Sequence, residues 1–220
     1  MENQYILDKW EWTEEDFENM GWHDCPIYAV RFEDNIYLDI DYIFKWNDNG
    51  VGNPFTFWIA PATLVFESPY SLKIDIELEF INGLEIAEVI RSKGKKGSTI
   101  WDIQTQEGII SIGAEKYKQI IRRKPSFQFN QGIKCDERGD ISFSLISEKN
   151  YKDPPEIIKR KEIELQSHLL TLEKTNLLAK INLLDKNKLC IKKYLLEKRA
   201  IQKRIDEIDK LQNVPNFQQS

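Results

Sequence analysis

Residues 156–211 contain no proline and no glycine, and apolar side chains recur through them every seven positions: Ile163, Leu170, Leu177, Leu184 and Ile191, then Tyr194, Ile201 and Ile208. Seven residues are close to two helical turns, so these positions fall along one stripe. Leu165, Leu169 and Leu172 add three- and four-residue spacings, which makes the stripe wider than a two-stranded seam. The pattern predicts a long helix or a helical hairpin, broken near Asp185-Lys186-Asn187-Lys188 if it folds back. Its breadth favours a hairpin or bundle over a single dimeric rod. Asn176 lies among the apolar positions, where a buried amide would fix register. Residues 213–220 read as a frayed tail.

Before Asp153-Pro154-Pro155 the period is two. Ile36, Leu38, Ile40, Tyr42, Phe44 and Trp46 alternate with Tyr37, Asp39, Asp41, Ile43 and Lys45, the signature of a half-buried strand. A three-residue loop, Glu33-Asp34-Asn35 with Asn35 left-handed, would pair Phe32 with Ile36, Val30 with Leu38 and Tyr28 with Ile40, keeping the apolar faces together. Residues 47–54 form a loop by composition. Residues 55–67 are apolar on both faces and predict a covered strand, bent or broken at Pro61. Leu72, Ile74, Ile76, Leu78 and Phe80 predict another strand, turned at Asn82-Gly83 into residues 84–91. Shorter strands are expected at 99–105, 108–113, 117–122 and 141–147. A short helix precedes them all, with Thr13 as N-cap, an acidic first turn and Gly21 as its stop. The fold class expected is α+β: an antiparallel β-sandwich or curved meander over 1–153, with that helix at its N-terminus, then a helical extension over 154–212.

Six Trp, eight Tyr and eleven Phe supply ample surface to bury, and Gly (10) and Pro (8) are scarce. Disordered and collagen-like classes are thereby excluded. No apolar run approaches the ~20 residues that cross a bilayer, and the first residues lack a secretory pattern. Cys25, Cys135 and Cys190 are far apart with no CxxC spacing, which points to a reducing cytoplasm and no zinc knuckle. Charge is uneven. Residues 1–41 hold twelve acidic side chains against Lys9 and Arg31, while residues 154–220 hold fourteen basic against nine acidic.

The densest constellation of ligand types is Gly21-Trp22-His23-Asp24-Cys25 with Asp39 and Asp41 two apart on one strand face. Alternate strand positions aim both carboxylates the same way, as metal or acid–base chemistry would need. The plainer reading leaves them on the polar face, with Arg31 diagonal to Asp39 in a cross-strand ion pair. A GxSxG elbow and a phosphate loop are both absent, and Gly94-Lys95-Lys96-Gly97-Ser98-Thr99 reads as a basic turn. Lys192, Lys193, Lys198, Arg199, Lys203 and Arg204 form a basic patch on the helical extension, either a solvated face or a site for an anionic partner such as nucleic acid.

Trp12-Thr13-Glu14-Glu15-Asp16-Phe17-Glu18, Met20-Gly21-Trp22-His23-Asp24, Asp39-Ile40-Asp41-Tyr42-Ile43 with Trp46, Phe57-Trp58 and Ala60-Pro61-Ala62-Thr63-Leu64-Val65-Phe66 together resemble a family of small uncharacterised bacterial domains. The resemblance spans about residues 12–143. It implies a standalone cytoplasmic domain and brings no activity with it, and the helical extension lies outside it.

The leading functional expectation is a non-catalytic protein-interaction module, immunity- or adaptor-like, with an acidic face that engages a basic protein partner. Its candidate residues are Glu14, Glu15, Asp16, Glu18, Trp22, His23, Asp24, Asp39 and Asp41. Residues 156–211 would supply homo-oligomerisation or docking; no cofactor, metal or membrane is expected. The alternatives are a metal-assisted or acid–base enzyme built on His23, Asp24, Asp39 and Asp41, and nucleic-acid binding through the basic patch.

Overall fold

The structure is a computed structural model that describes residues 5–77, 83–94, 98–186 and 191–213. Expectations at Leu78, Phe80 and Asn82, at 95–97, at 187–190 and at 214–220 lie outside the described residues. The chain divides into two compact units: Met1–Asn47 with Phe55–Tyr151, and Asp48–Pro54 with Lys152–Ser220.

The first unit is an antiparallel sheet of β1 (Glu11–Thr13), β2 (Cys25–Phe32), β3 (Ile36–Asn47), β4 (Thr56–Ile76), β5 (Leu84–Lys93), β6 (Thr99–Thr105), β7 (Gly108–Ile121) and β8 (Ser126–Gln128). Of the two arrangements the strand pattern allowed, stacked sheets or one curved sheet, a single sheet forms, in the order β1-β7-β6-β5-β2-β3-β4-β8. Because β4 also pairs with β7, the ladders run in a circuit. Its narrowest splice is β2 with β5, where only Cys25–Ile27 meet Leu84–Ile86. The core holds Leu38, Ile40, Ile59, Leu64, Phe66, Ile86, Trp101, Ile103, Ile112, Tyr117 and Ile121.

β4 runs unbroken for 21 residues through Pro61, where a bend or break was expected. Pro61 pairs with Asp41 on the β3 side. Its carbonyl accepts the Arg122 N–H on the other side, so its missing N–H faces that same side. There the partner changes from β8, which ends opposite Ile59, to β7, which begins opposite Ala62. The proline therefore sits where no ladder bond is needed. The expected strands 108–113 and 117–122 are one strand, β7, and β8 and β1 were not foreseen.

Phe32 pairs with Ile36 and Val30 with Leu38, as the three-residue loop predicts, but a bulge between Ile27 and Ala29 removes Tyr28 from opposite Ile40. Asn35 is not left-handed; among the described residues the left-handed non-glycine ones are Asp24, Ser68 and Phe143. The N-terminal helix is a six-residue 3-10 helix, Glu14–Asn19, that ends at an extended Met20 rather than at Gly21. The Thr13 N–H donates to Asp16.

Residues 141–147 form no strand. They belong to an irregular strap that follows β8 and contains the single-turn helix α1 (Cys135–Arg138). This strap covers the outer face of β3, so Ile36 through Ile43 are buried on both faces.

The second unit contains α2 (Pro155–Lys186) and α3 (Ile191–Gln212), so the helical extension is two helices. Thr171 bonds Gln212, Lys174 pairs with Asp209 and Glu173 with Arg204. The start of this series on α2 meets the end of α3, and Leu184 further along α2 packs on Ile201 and Ile205, so the helices are antiparallel. Leu184, Ile201 and Ile205 form the seam, with Leu177, Ile181 and Tyr194 against them. Asn176 is exposed and fixes no register within the hairpin. Ile191, in phase with the α2 stripe, is 77% exposed.

Candidate functional site

Three of the residues singled out in the sequence come together beside the narrow β2–β5 splice. The chain enters β2 through a tight turn: the Cys25 N–H donates to the Trp22 carbonyl and the Asp24 N–H to the Ile86 carbonyl. Asp24 takes φ 60° there, a conformation that Asp tolerates better than most residues. Trp22 is driven into the core against Phe17 and Tyr117, and its indole N–H donates to Gln119 Oε1 at 2.9 Å. His23 is thrown outward. Its Nδ1 lies 3.1 Å from the Ala87 carbonyl, which can only accept, so Nδ1 carries the proton. Its ring stacks at 24° on Trp46, and Nε2 stands 3.6 Å from Asp24 Oδ1.

Between this turn and β5 runs a groove of about 390 Å³ lined by Phe17, Glu18, Met20, Gly21, Trp22, His23, Ala87, Glu88 and Val89. Its floor is apolar and its rim carries the exposed carboxylates of Glu18 and Glu88. Arg91 crosses the rim, stacked on Phe17 and donating to the Glu14 carbonyl and to Glu18. Next to it, the Glu85 carboxyl is held above the usual range, first by burial and then by repulsion from Asp24 and Glu107. Ala87, Glu88 and Val89 escaped the sequence reading, because nothing local says that β5 parts from β2 after Ile86.

The remaining acidic candidates are dispersed. Asp16 is tied to Lys9, which lowers its pKa through that bond and the Thr13 N–H. Glu15 is exposed. Asp24 accepts from Gln131 Nε2 at 2.9 Å.

Asp39 and Asp41 are not part of any solvent-facing acidic surface, contrary to the polar face expected for them; both are buried. Asp39 accepts from Thr63 Oγ1 at 2.6 Å, the Ser142 N–H at 3.2 Å, the Phe143 N–H at 3.0 Å and Arg122 Nη1 at 3.3 Å. Arg122, itself buried, also donates to Ser142 and to the Tyr28 hydroxyl. Asp41 accepts the Ile133 N–H at 2.9 Å and faces Arg138 Nε at 3.6 Å. The Arg138 guanidinium lies over the Tyr28 ring. Burial raises the Asp41 carboxyl to about 6 against the opposing pull of Arg138, the Ile133 N–H and Arg122. Arg31 makes no cross-strand pair with Asp39: it pairs with Glu33 and stacks on Tyr37 and Phe143. The two carboxylates thus hold the strap to the sheet, satisfying backbone groups that no ladder reaches. The signal missed was the pair of arginines, Arg122 directly after β7 and Arg138 in α1 of the aperiodic strap.

Chemistry at the other candidates is muted. Cys25 is buried, accepts the Ile43 N–H, and its thiol is pushed up to about 12 by burial, which removes the thiolate a nucleophile requires. Cys135 opens α1 and is exposed. Among the described residues no group of three or more His, Cys, Asp or Glu could hold a metal ion, and no helix is long and apolar enough to cross a membrane.

On α3, Lys192, Lys193, Arg199 and Lys203 are exposed. Lys192, Arg199 and Lys203 fall on the side opposite Ile201, Ile205 and Ile208. Lys198 instead lies along Tyr194 and donates to its hydroxyl, and Arg204 is held by Glu173 through two bonds.

Compared with protein-family models, curated proteins and solved structures, the chain matches none.

Proposed function

We propose that the protein is a non-catalytic interaction module whose sheet unit engages a basic protein partner. The observation that carries this reading is the groove beside the β2–β5 splice, an apolar floor of Phe17, Met20, Trp22 and Val89 under the carboxylates of Glu18 and Glu88. An apolar centre gives contact area and a charged rim steers encounter and selects the sign of the partner. The total acidity of residues 1–41 contributes less, because Asp16, Glu18, Glu33, Asp39 and Asp41 each face a Lys or Arg; at the rim Glu88 is the carboxylate left to the partner's charge, with Glu18 shared with Arg91. An acid–base centre on His23, Asp24, Asp39 and Asp41 is the weaker reading: the carboxylates of Asp39 and Asp41 are committed to the strap, and His23 is mostly exposed.

Exposed Leu169, Leu183 and Leu196 on the helices favour self-association or docking as the role of the second unit, and the exposed Lys192, Lys193, Arg199 and Lys203 of α3 leave an anionic partner, nucleic acid included, as its second reading. The test of the main reading is association of the full chain with its cellular partners at low and high salt. Glu15→Gln, Glu18→Gln and Glu88→Gln together should slow association several-fold and flatten its salt dependence. Association that is unchanged in rate and in salt response would reject the acidic module.

A further inference from the structure

β5 is paired along its length with β6, from Ile86 to Lys93, but on its other edge β2 meets it only at Leu84–Ile86. Among the described residues no strand pairs with that edge between Glu88 and Lys93. The reason is local. A register shift between Ile86 and Glu88 bends β5 at Ala87, while the turn at Trp22–Asp24 carries the preceding chain away from it. Backbone groups on an open edge must find partners in water or in another chain. This edge lies along the groove: Ala87, Glu88 and Val89 form one wall, and the residues from Phe17 to His23 form the other.

From this geometry we propose that the open edge of β5 receives an extended segment of the partner protein as an added strand, with an apolar side chain in the Phe17–Trp22–Val89 floor and a lysine or arginine against Glu18 and Glu88. The inference rests on the acidic-module reading and gives it a mode. Strand addition draws its affinity from main-chain bonds and its selectivity from alternate side chains entering pockets. Here the Arg91 guanidinium beside the groove is already engaged by Glu14 and Glu18. Asp24 and Glu107 both repel Glu85, whose carboxyl is held above its usual range first by burial and then by those two charges. A positive side chain relieves that repulsion, whereas a phosphate-bearing ligand adds to it. Charge therefore selects a basic peptide over nucleic acid or an anionic lipid.

The probe is a capped peptide that alternates lysine with valine, added to the full chain. Expected is saturable binding, with amide exchange at residues 88–93 slowed tenfold or more. N-methylation of alternate peptide amides should weaken binding at least tenfold, because it removes the main-chain donors and leaves the side chains in place. A glutamate–valine peptide should bind at least tenfold more weakly. Absence of binding, binding without protection of residues 88–93, or equal binding of the N-methylated peptide each overturns strand addition. These outcomes are separate from failure of the acidic module, which is read from the salt response of partner association: a salt-steered partner that leaves residues 88–93 unprotected retains the module and refutes only the mode.

Discussion

In the sheet unit the buried residues come from every strand but β1, and even Asp39, Asp41 and Arg122 are enclosed; in the helical unit the seam is three buried side chains, Leu184, Ile201 and Ile205, with Leu177, Ile181 and Tyr194 half-buried beside them. The sheet is closed by ladders between residues far apart in sequence, and its irregular strap is held by carboxylates that satisfy backbone N–H groups. The hairpin satisfies its backbone within each helix and needs its seam only to hold two helices together. Loss of order therefore has different causes in the two units. In the sheet the vulnerable points are polar and buried, because an orphaned charge there has no water to turn to. In the hairpin they are apolar and few, because each side chain carries a large share of the packing.

All six tryptophans lie between residues 10 and 101, so their fluorescence follows the sheet unit, while ellipticity at helical wavelengths follows α2 and α3. The sharpest way to separate the units is Asp39→Ala. It strands the Arg122 charge and leaves the Ser142 and Phe143 N–H groups without their acceptor, at an expected loss of about 4 kcal/mol. The fluorescence transition should move to much lower denaturant with the helical signal retained. An unmoved fluorescence midpoint would show that the strap is not held by Asp39.

The converse change is Leu184→Asp, which places a charge in the hairpin seam and is expected to destabilise it by about 3 kcal/mol. Helical ellipticity and oligomer size should fall together while fluorescence stays native. If neither moves, the seam is not what holds α2 to α3.

The smallest effect expected is a pH dependence inside the sheet unit. Burial raises Asp41 from its model-peptide value of 3.8 to about 6, so the folded chain binds a proton that the unfolded chain has released. The contribution of this group is fully present below 3.8 and is lost as pH rises through about 6; a shift of this size corresponds to roughly 3 kcal/mol at most, and pairing with Arg138 reduces the realised change. Asp41→Asn removes the titration, so the stability of the variant relative to the parent chain should increase between pH 4 and pH 7. A constant difference across that range would show that Asp41 does not titrate with folding.

Some of this was legible in the residues themselves. The two-residue period of Ile36, Leu38 and Ile40 and the seven-residue period of Ile163, Leu170, Leu177 and Leu184 report local backbone geometry, and the structure follows both. The change of phase from the Leu184 stripe to Tyr194, Ile201 and Ile208 coincides with the reversal between α2 and α3, which is why Ile191, in phase with the first helix, falls outside the seam. Trp22, His23 and Glu18 were recognisable as candidates, but not as walls of one groove. Asp39 and Asp41 looked solvated, because alternation distinguishes the two faces of a strand and cannot say what lies over either.

The residues alone determined strand, helix and turn wherever a repeat ties side chains to one face, since periodicity is a property of a single segment. Tertiary structure alone decided that β5 parts from β2 after Ile86, that Pro61 sits at a change of ladder partner, and that an aperiodic strap buries two aspartates opposite two arginines. Each of these depends on which distant segment arrives alongside, and on the demand that buried charges and backbone groups meet a partner when it does.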